Sequence, residues 1–113
     1  LRLRREPFFS GDKENTKILL NVILQSLSEE ILSLRKATKR GMFGKIKYHS
    51  HNIKGVLPKV IGEDVFSRAQ RVEDFAKNQD LKGCESLMGE LEDKVDLVKK
   101  VIHNALEGIE LQS

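Results

Sequence analysis

Apolar residues recur along most of the chain at alternating intervals of three and four positions. The longest series lies near the C-terminus, with intervals of 4, 3, 4, 3, 4, 3 and 4: Cys84, Met88, Leu91, Val95, Val98, Ile102, Ala105 and Ile109. Residues spaced in this way share one face of an α-helix. The series predicts a long amphipathic helix over residues 81–107.

Two earlier segments show the same periodicity. A helix over 14–39, ending at Gly41, is predicted by the stripe Leu20, Leu24, Leu27, Ile31 and Leu34. A helix over 63–77 is predicted by the stripe Val65, Ala69, Val72 and Ala76. Each series forms one apolar stripe, which is typical of a helix with one buried face.

A fourth helix is predicted over 44–61, with its inward positions at Ile46, Ser50, Ile53, Leu57 and Val60. Pro58 interrupts this segment. A proline inside a helix removes one backbone hydrogen bond and strains the preceding turn, at a cost of roughly 3 kcal/mol. We therefore expect a bend at Pro58 and the end of the helix at Gly62.

The predicted fold is all-α, because no segment alternates with the period of two that marks a strand. Four helices with short connections favour an antiparallel four-helix bundle. At 113 residues the chain has the length of one domain. We assign residues 11–113 to the bundle and residues 1–10 to a linker, which forms a short N-terminal helix or an arm.

Charge is distributed unevenly along the chain. Residues 31–62 carry eight Lys or Arg and no acidic residue, whereas residues 63–113 carry seven Lys or Arg and twelve Asp or Glu. The basic block indicates an acidic or phosphate-bearing partner. It also leaves open a nucleic-acid surface, although the block has few aromatic residues and no recognised binding motif.

The remaining composition restricts the environment of the chain. Cys84 is the single cysteine, so it cannot form an internal disulfide; it fits a core position and a reducing cytoplasm. No apolar run approaches the roughly 18 residues of a membrane span. We expect a cytoplasmic protein, or the cytoplasmic side of a membrane if the parent is a sensor kinase, with no direct membrane insertion.

The stretch "SHNIKG", residues 50–55, carries the candidate chemistry. With Ser50 facing inward, His51 falls at the edge of the exposed face, between Lys47 and Tyr48 on one turn and Lys54 and Gly55 on the next. A neutral imidazole is a good nucleophile near pH 7, and neighbouring ammonium groups favour its neutral form and attract phosphate. Of the other histidines, His49 lies on a different face, and His103 fits a capping role near a helix end.

These residues resemble a known family. "HSHNIKG" is similar to the signature of histidine-containing phosphotransfer (HPt) domains, in which a histidine precedes any residue, Ile or Leu, Lys and Gly. The resemblance extends to three other segments: "FFSGDKE" before the first helix, "ATKRGMF" before the histidine helix, and "SRAQRVEDFAKNQD" in the third helix. Glu73 and Asp80 stand at the family's offsets from His51, and residues 8–105 follow the family pattern without a gap.

The resemblance implies a phosphocarrier of two-component signal transduction. His51 would accept a phosphoryl group from the aspartyl phosphate of one receiver domain and pass it to another receiver. Lys54 would stabilise the phosphoryl charge and Gly55 would give the receiver clearance. The partner-binding residues would be Lys47, Tyr48, Asn52 and Lys59.

The resemblance also has implications for cofactors, ATP-dependent activity and partners. No cofactor is expected on this chain, because the Mg²⁺ belongs to the receiver. The chain has no Gly-rich phosphate loop, so we expect no ATP-dependent activity of its own. The expected partners are receiver domains, including one in the same parent chain, and the isolated domain is expected to be a monomer.

The sequence departs from the family at three places, all after the histidine. Val56 and Leu57 replace small residues, Pro58 replaces an ordinary helix former, and Ile61 stands where the family has the glycine found here at Gly62. These changes affect the second half of the histidine helix and the receiver that it accepts.

Three other interpretations stay open. The bundle could be a docking module without phosphotransfer, a nucleic-acid-binding domain, or the phosphorylated domain of a chemotaxis-type kinase. The segment "LRLRREP" favours a C-terminal domain of a hybrid sensor histidine kinase over a free-standing protein.

Overall fold

The computed structural model describes residues 12–58 and 60–111. It contains four α-helices: α1 (Lys13–Lys39), α2 (Phe43–Val56), α3 (Glu63–Lys77) and α4 (Leu81–Leu111). Within these two ranges no residue belongs to a β-strand. The predicted all-α class is confirmed, whereas the predicted N-terminal helix or arm over residues 1–10 lies outside the described residues.

The helices form an antiparallel four-helix bundle, as predicted. Helix α1 packs against α2 and α4, and α3 packs against the same two helices. Two ion pairs join the antiparallel helices α1 and α4, one between Lys17 and Glu110 and one between Arg35 and Glu92. The described body measures 48 by 20 by 19 Å along its principal axes.

The core consists of the predicted apolar stripes. Leu27 and Leu34 of α1 are completely enclosed, and all four stripe residues of α3 are buried. Cys84 is fully buried, as predicted for a core residue. The one hydroxyl on the α2 stripe, that of Ser50, is buried without loss of hydrogen bonding, because Oγ donates to the carbonyl of Ile46 over 2.7 Å.

The ends of α1 follow from local sequence. The carboxylate of Asp12 accepts a hydrogen bond from the backbone N–H of Asn15 over 3.1 Å, which caps the first turn. At the other end Gly41 has φ 64°, in the left-handed region that glycine adopts without a Cβ clash. The N–H groups of Gly41 and Met42 then bond to carbonyls of the last turn and close the helix.

The prediction for α2 was wrong beyond residue 56. The helix ends at Val56, and Leu57 is extended with φ −111° and ψ 144°. A residue before proline is driven out of the helical region by contact with the proline ring, so Pro58 ends this helix instead of bending it. Leu57 remains buried, but Val60 is 94% exposed and does not reach the core as predicted.

Helix α4 is four residues longer than predicted and ends at Leu111. Its first turn is held by Asp80, whose carboxylate accepts the N–H of Gly83 over 2.9 Å. The helix therefore ends about two turns after His103. His103 is exposed to solvent and lies well before the last turn. The predicted capping role of His103 is therefore wrong.

The four helices are unequal in length. Helices α1 and α4 contain 27 and 31 residues, whereas α2 and α3 contain 14 and 15. At about 1.5 Å per residue the long pair extends roughly 20 Å beyond the short pair. The end of α2 at Val56 and the start of α3 at Glu63 therefore lie part of the way along the bundle.

Two glycines of α4 provide a test of this packing. A Cβ at position 83 would overlap the ring of Phe75, whereas a Cβ at position 89 would meet no atom within 4 Å. We expect Gly89→Ala to stabilise the protein by up to about 1 kcal/mol through helix propensity. We expect Gly83→Ala to destabilise it by about 1–2 kcal/mol, because the aromatic ring must move. Urea unfolding measures both changes, and stabilisation by Gly83→Ala would contradict the close α3–α4 contact.

Candidate functional site

His51 lies on the open side of α2. Ile46, Ser50 and Ile53 of the same helix face the core. His51 directly follows Ser50 and is rotated by about 100° around the helix axis, so its side chain points away from the core. The side chain of His51 is 69% exposed. The imidazole is therefore accessible to another macromolecule.

On the side towards α3, Lys54 is enclosed by polar partners. Its ammonium Nζ lies 2.6 Å from Oε1 of Glu73 and donates a hydrogen bond to Oε1 of Gln70 over 2.7 Å. The same ammonium stands 5.5 Å from the centre of the Phe66 ring. Only 12% of the Lys54 side chain and 10% of the Glu73 side chain are exposed. The pair therefore interacts with little screening by solvent.

Glu73 also contacts His51. Its Oε2 lies 3.5 Å from Nδ1 of His51, and the Nζ of Lys77 lies 3.7 Å from the same oxygen. A carboxylate beside Nδ1 favours the tautomer in which Nδ1 carries the proton. The other ring nitrogen, Nε2, then holds the lone pair and is the nucleophilic atom.

Burial alone would raise the pKa of Glu73. The hydrogen bond and charge of Lys54, together with the charges of Lys77 and His51, outweigh this desolvation and hold the pKa below its ordinary value. Glu73 is therefore ionised at neutral pH, and the site contains one carboxylate between two ammonium groups.

On the side towards α1, His51 borders an open groove. The groove is lined mainly by apolar side chains of α1, with α2 as its other wall: Leu19, Val22, Ile23, Ser26 and Glu30 from α1, and His51, Asn52, Gly55 and Val56 from α2. Val22 is half exposed. His51 thus lies between a charged cluster on one side and an apolar groove on the other.

Gly55 lies one turn after His51 at the rim of this groove. A Cβ at this position would meet no other atom within 4 Å, so packing within the chain does not require a glycine here. The residue costs about 1 kcal/mol of helix propensity relative to alanine. Its absent side chain leaves the approach to His51 open.

His49 and Asn52 face α1 and share one carboxylate. The side-chain amide of Asn52 donates to Oε1 of Glu30 over 2.9 Å, and Nδ1 of His49 lies 3.1 Å from the same oxygen. Glu30 and His49 are 17% and 19% exposed. His49 is therefore part of the α1–α2 contact, although the sequence indicated only that it lies on a different face from His51.

The structure brings together His51, Lys54 and Gly55 as the sequence predicted. Lys47 and Tyr48 are exposed on the preceding turn. Lys59 lies outside the described residues. The roles assigned to these residues stay predictions.

Glu73, Gln70 and Glu30 were not assigned any role from the sequence. A signal for Glu73 did exist, because it lies four residues after Ala69 and three before Ala76, next to an apolar stripe. A charged residue at that phase is buried and requires a partner.

Two further properties of the described part of the chain limit the possible sites. Across residues 12–58 and 60–111, no group of three His, Cys, Asp or Glu side chains is arranged to hold a metal ion. No helix in the same ranges is long and apolar enough to cross a membrane.

The chain is similar to a protein named phosphorelay intermediate protein rdeA, from Dictyostelium discoideum. The two are 30% identical over 95 residues, which is 84% of this chain and 37% of that protein. The chain therefore spans little more than a third of the length of this relative. No protein-family model matches the chain. No solved structure matches it either.

The lowered pKa of the buried Glu73 predicts that the folded state loses stability in acid. Because its pKa in the folded state lies below the ordinary value of 4.5, ionised Glu73 stabilises the fold at neutral pH. This contribution is lost as the pH falls from 4.5 through the folded-state pKa. We expect Glu73→Gln to be less stable than the wild type at pH 7, and the difference to shrink below pH 4.5.

Urea unfolding at a series of pH values measures this difference. Glu29→Gln, at an exposed position of α1, is the matched control. A stability difference for Glu73→Gln that stays constant into acid would contradict the charge-based explanation.

Proposed function

We propose that this chain is a histidine-containing phosphotransfer domain, in which His51 carries a phosphoryl group between receiver domains. The proposal is supported above all by one observation. An exposed imidazole stands on a four-helix bundle with Glu73 at its Nδ1, Lys54 one turn away and an open approach over Gly55. The similarity to a protein named as a phosphorelay intermediate supports the same role.

The proposed reaction begins with His51 neutral and protonated on Nδ1. The lone pair of Nε2 attacks the phosphorus of an aspartyl phosphate on the receiver. The new P–N bond forms as the P–O bond to the aspartate breaks, and the bonding electrons leave with the carboxylate. The proton stays on Nδ1, where the adjacent carboxylate of Glu73 stabilises the cationic phosphoimidazole ring. Transfer to a second receiver is the same step in reverse.

The charge of the cluster suits this reaction. Before transfer, Glu73 balances one of the two ammonium groups of Lys54 and Lys77, so the cluster has a net positive charge. The incoming phosphoryl group adds negative charge beside it. We propose that Lys54 stabilises this charge from a fixed position, because Gln70 and Glu73 already orient its ammonium group.

The apolar groove beside His51 is the proposed contact surface for the receiver, with Gly55 in its lining and the exposed Tyr48 on the turn before His51. Apolar contacts there would supply affinity without drawing on the charges that act on the phosphoryl group. Any Mg²⁺ would be held by the receiver. The groove also suits a docking module without phosphotransfer, which is the second candidate function.

His51→Gln separates these two candidates. We expect the variant to fold like the wild type and to accept no phosphoryl group from a phosphorylated receiver, while still binding the receiver. The measurement is radiolabel incorporation that is labile to acid and stable to base, with mass spectrometry to locate the modified nitrogen. His103→Gln, at an exposed position of α4, is the matched control and should retain full labelling. Labelling of His51→Gln at wild-type level would overturn the assignment of the acceptor.

Lys54→Ala tests the electrostatic role. Removing one fixed charge that stabilises a reaction typically costs a hundredfold or more, and Lys77 compensates part of this, so we expect transfer to slow by about tenfold. The lifetime of the phosphohistidine should also shorten. The exposed Lys45→Ala on the same helix is the matched control.

Lys54→Ala also leaves the buried Glu73 carboxylate without its closest cation, which destabilises the fold. The double variant Lys54→Ala/Glu73→Gln removes this stranded charge. Transfer rates measured in both variants, with circular dichroism as a check on helix content, separate the two effects. Wild-type transfer in both would contradict the proposed role of Lys54.

A further inference from the structure

Helix α2 has little local support of its own. Its N-cap residue, Met42, makes no side-chain capping bond, and its first turn contains no acidic residue. The cations Lys45 and Lys47 lie near the positive end of the helix dipole, which is unfavourable. Gly44 and Gly55 each lower the helix propensity further. The position of α2, and of His51 with it, therefore depends on contacts with neighbouring helices.

Two carboxylates, one from each neighbouring helix, take part in the polar contacts of α2. Glu73 of α3 meets Lys54 and His51. Glu30 of α1 meets Asn52 and His49 over 2.9 and 3.1 Å. Hydrogen bonds to a charged group are stronger than those between neutral groups, so these contacts can orient a short helix.

The contacts of Glu30 bracket the acceptor histidine. Asn52 directly follows His51 and His49 lies two positions before it, so both side chains on the α1 side of this turn bond to the same oxygen. Nδ1–H of His49 can donate to this carboxylate, as the side-chain amide of Asn52 does. Rotation of α2 about its axis would break these bonds on one side or the Glu73 contacts on the other.

We infer that Glu30 is a positioning residue for phosphotransfer, which fixes the rotation of α2 so that His51 faces a receiver seated in the α1–α2 groove. Glu30 itself lines that groove together with His51 and Asn52. It therefore fixes the acceptor relative to the surface on which the donor would lie. This inference deepens the proposed function and rests on it.

The first experiment compares Glu30→Ala and Glu30→Gln in transfer from a phosphorylated receiver. Misplacement of a reacting group by about 1 Å can cost up to a hundredfold in rate, and the Glu73 contacts remain, so we expect Glu30→Ala to slow transfer at saturating receiver by about tenfold. The receiver concentration at half-maximal rate should change less. Glu30→Gln should recover most of the rate, because its side-chain oxygen still accepts from Asn52.

Glu92→Ala is the matched control for structure. It removes a carboxylate that also joins two helices, from α4 to Arg35 of α1, away from His51. A loss of rate in Glu30→Ala that Glu92→Ala does not share, with rescue by Glu30→Gln, supports positioning. Wild-type rates in Glu30→Ala would overturn it. Equal losses in Glu30→Ala, Glu30→Gln and Glu92→Ala would also overturn it, in favour of general destabilisation.

The second experiment does not depend on a receiver. Phosphoramidate, a small phosphodonor, reaches an exposed imidazole from many directions, so we expect it to label His51 in Glu30→Ala nearly as fast as in the wild type. Backbone amide exchange over Tyr48–Ile53 should nevertheless accelerate, because α2 has lost its contact with α1. Unchanged exchange in this segment would overturn the inference. Should Glu30→Ala fail to fold, Asn52→Ala and His49→Ala each remove one bond and serve in its place.

The two proposals fail in different ways. If no receiver transfers a phosphoryl group to the wild type, the proposed function is wrong, and amide exchange in Glu30→Ala still decides whether Glu30 positions α2. If the wild type accepts the group and Glu30→Ala does so at the same rate, only the positioning role is wrong.

Discussion

The ion pair between Lys54 and Glu73 is the contact on which the candidate site depends. It joins α2 to α3 at a position where both side chains are largely buried, so each charge is compensated by the other. The same carboxylate lies 3.5 Å from Nδ1 of His51, so one buried anion both anchors the helix and favours the tautomer with the proton on Nδ1. A structural requirement, the neutralisation of a buried charge, and a chemical one, an available Nε2, are met by a single side chain.

His51 has a charged surface on one side and a mainly apolar surface on the other. Towards α3 the surroundings are ionic and preorganised, which suits a reaction that moves a phosphoryl group. Towards α1 they are mainly apolar and open, which suits association with a second protein. This division arises because His51 lies at the outer edge of α2, where each neighbouring helix contributes a different surface.

The sequence was sufficient for the parts of the fold that depend on local periodicity. The stripes of α1, α3 and α4 repeat at helical spacing over several turns, and Gly41 ends α1 where a left-handed residue is needed. It was insufficient where two local rules compete. The apolar residues after Pro58 continued the helical pattern, but the steric effect of the proline on Leu57 prevailed, so Val60 points to solvent.

Parts of the site could not be predicted because they join residues that are distant in the chain. Glu30 and Asn52 are 22 positions apart, and no local pattern indicates that they meet. The phase of His51 on its own helix could be predicted, since it depends only on which neighbours face the core. The partners of His51 and Lys54 depend on how α3 packs beside α2, which periodicity alone does not determine.

The unequal lengths of the helices affect where local unfolding of the bundle begins. Beyond the ends of α2 and α3, the outer turns of α1 and α4 leave Ile18 and Leu111 exposed and are joined by the ion pair between Lys17 and Glu110. Local opening should therefore begin at the N-terminal turns of α1 and the C-terminal turns of α4, where its free energy is low. It should become rarer towards the half of the bundle that contains all four helices. His51 lies on α2, in the half of the bundle that contains all four helices, and is therefore anchored away from the turns that open first.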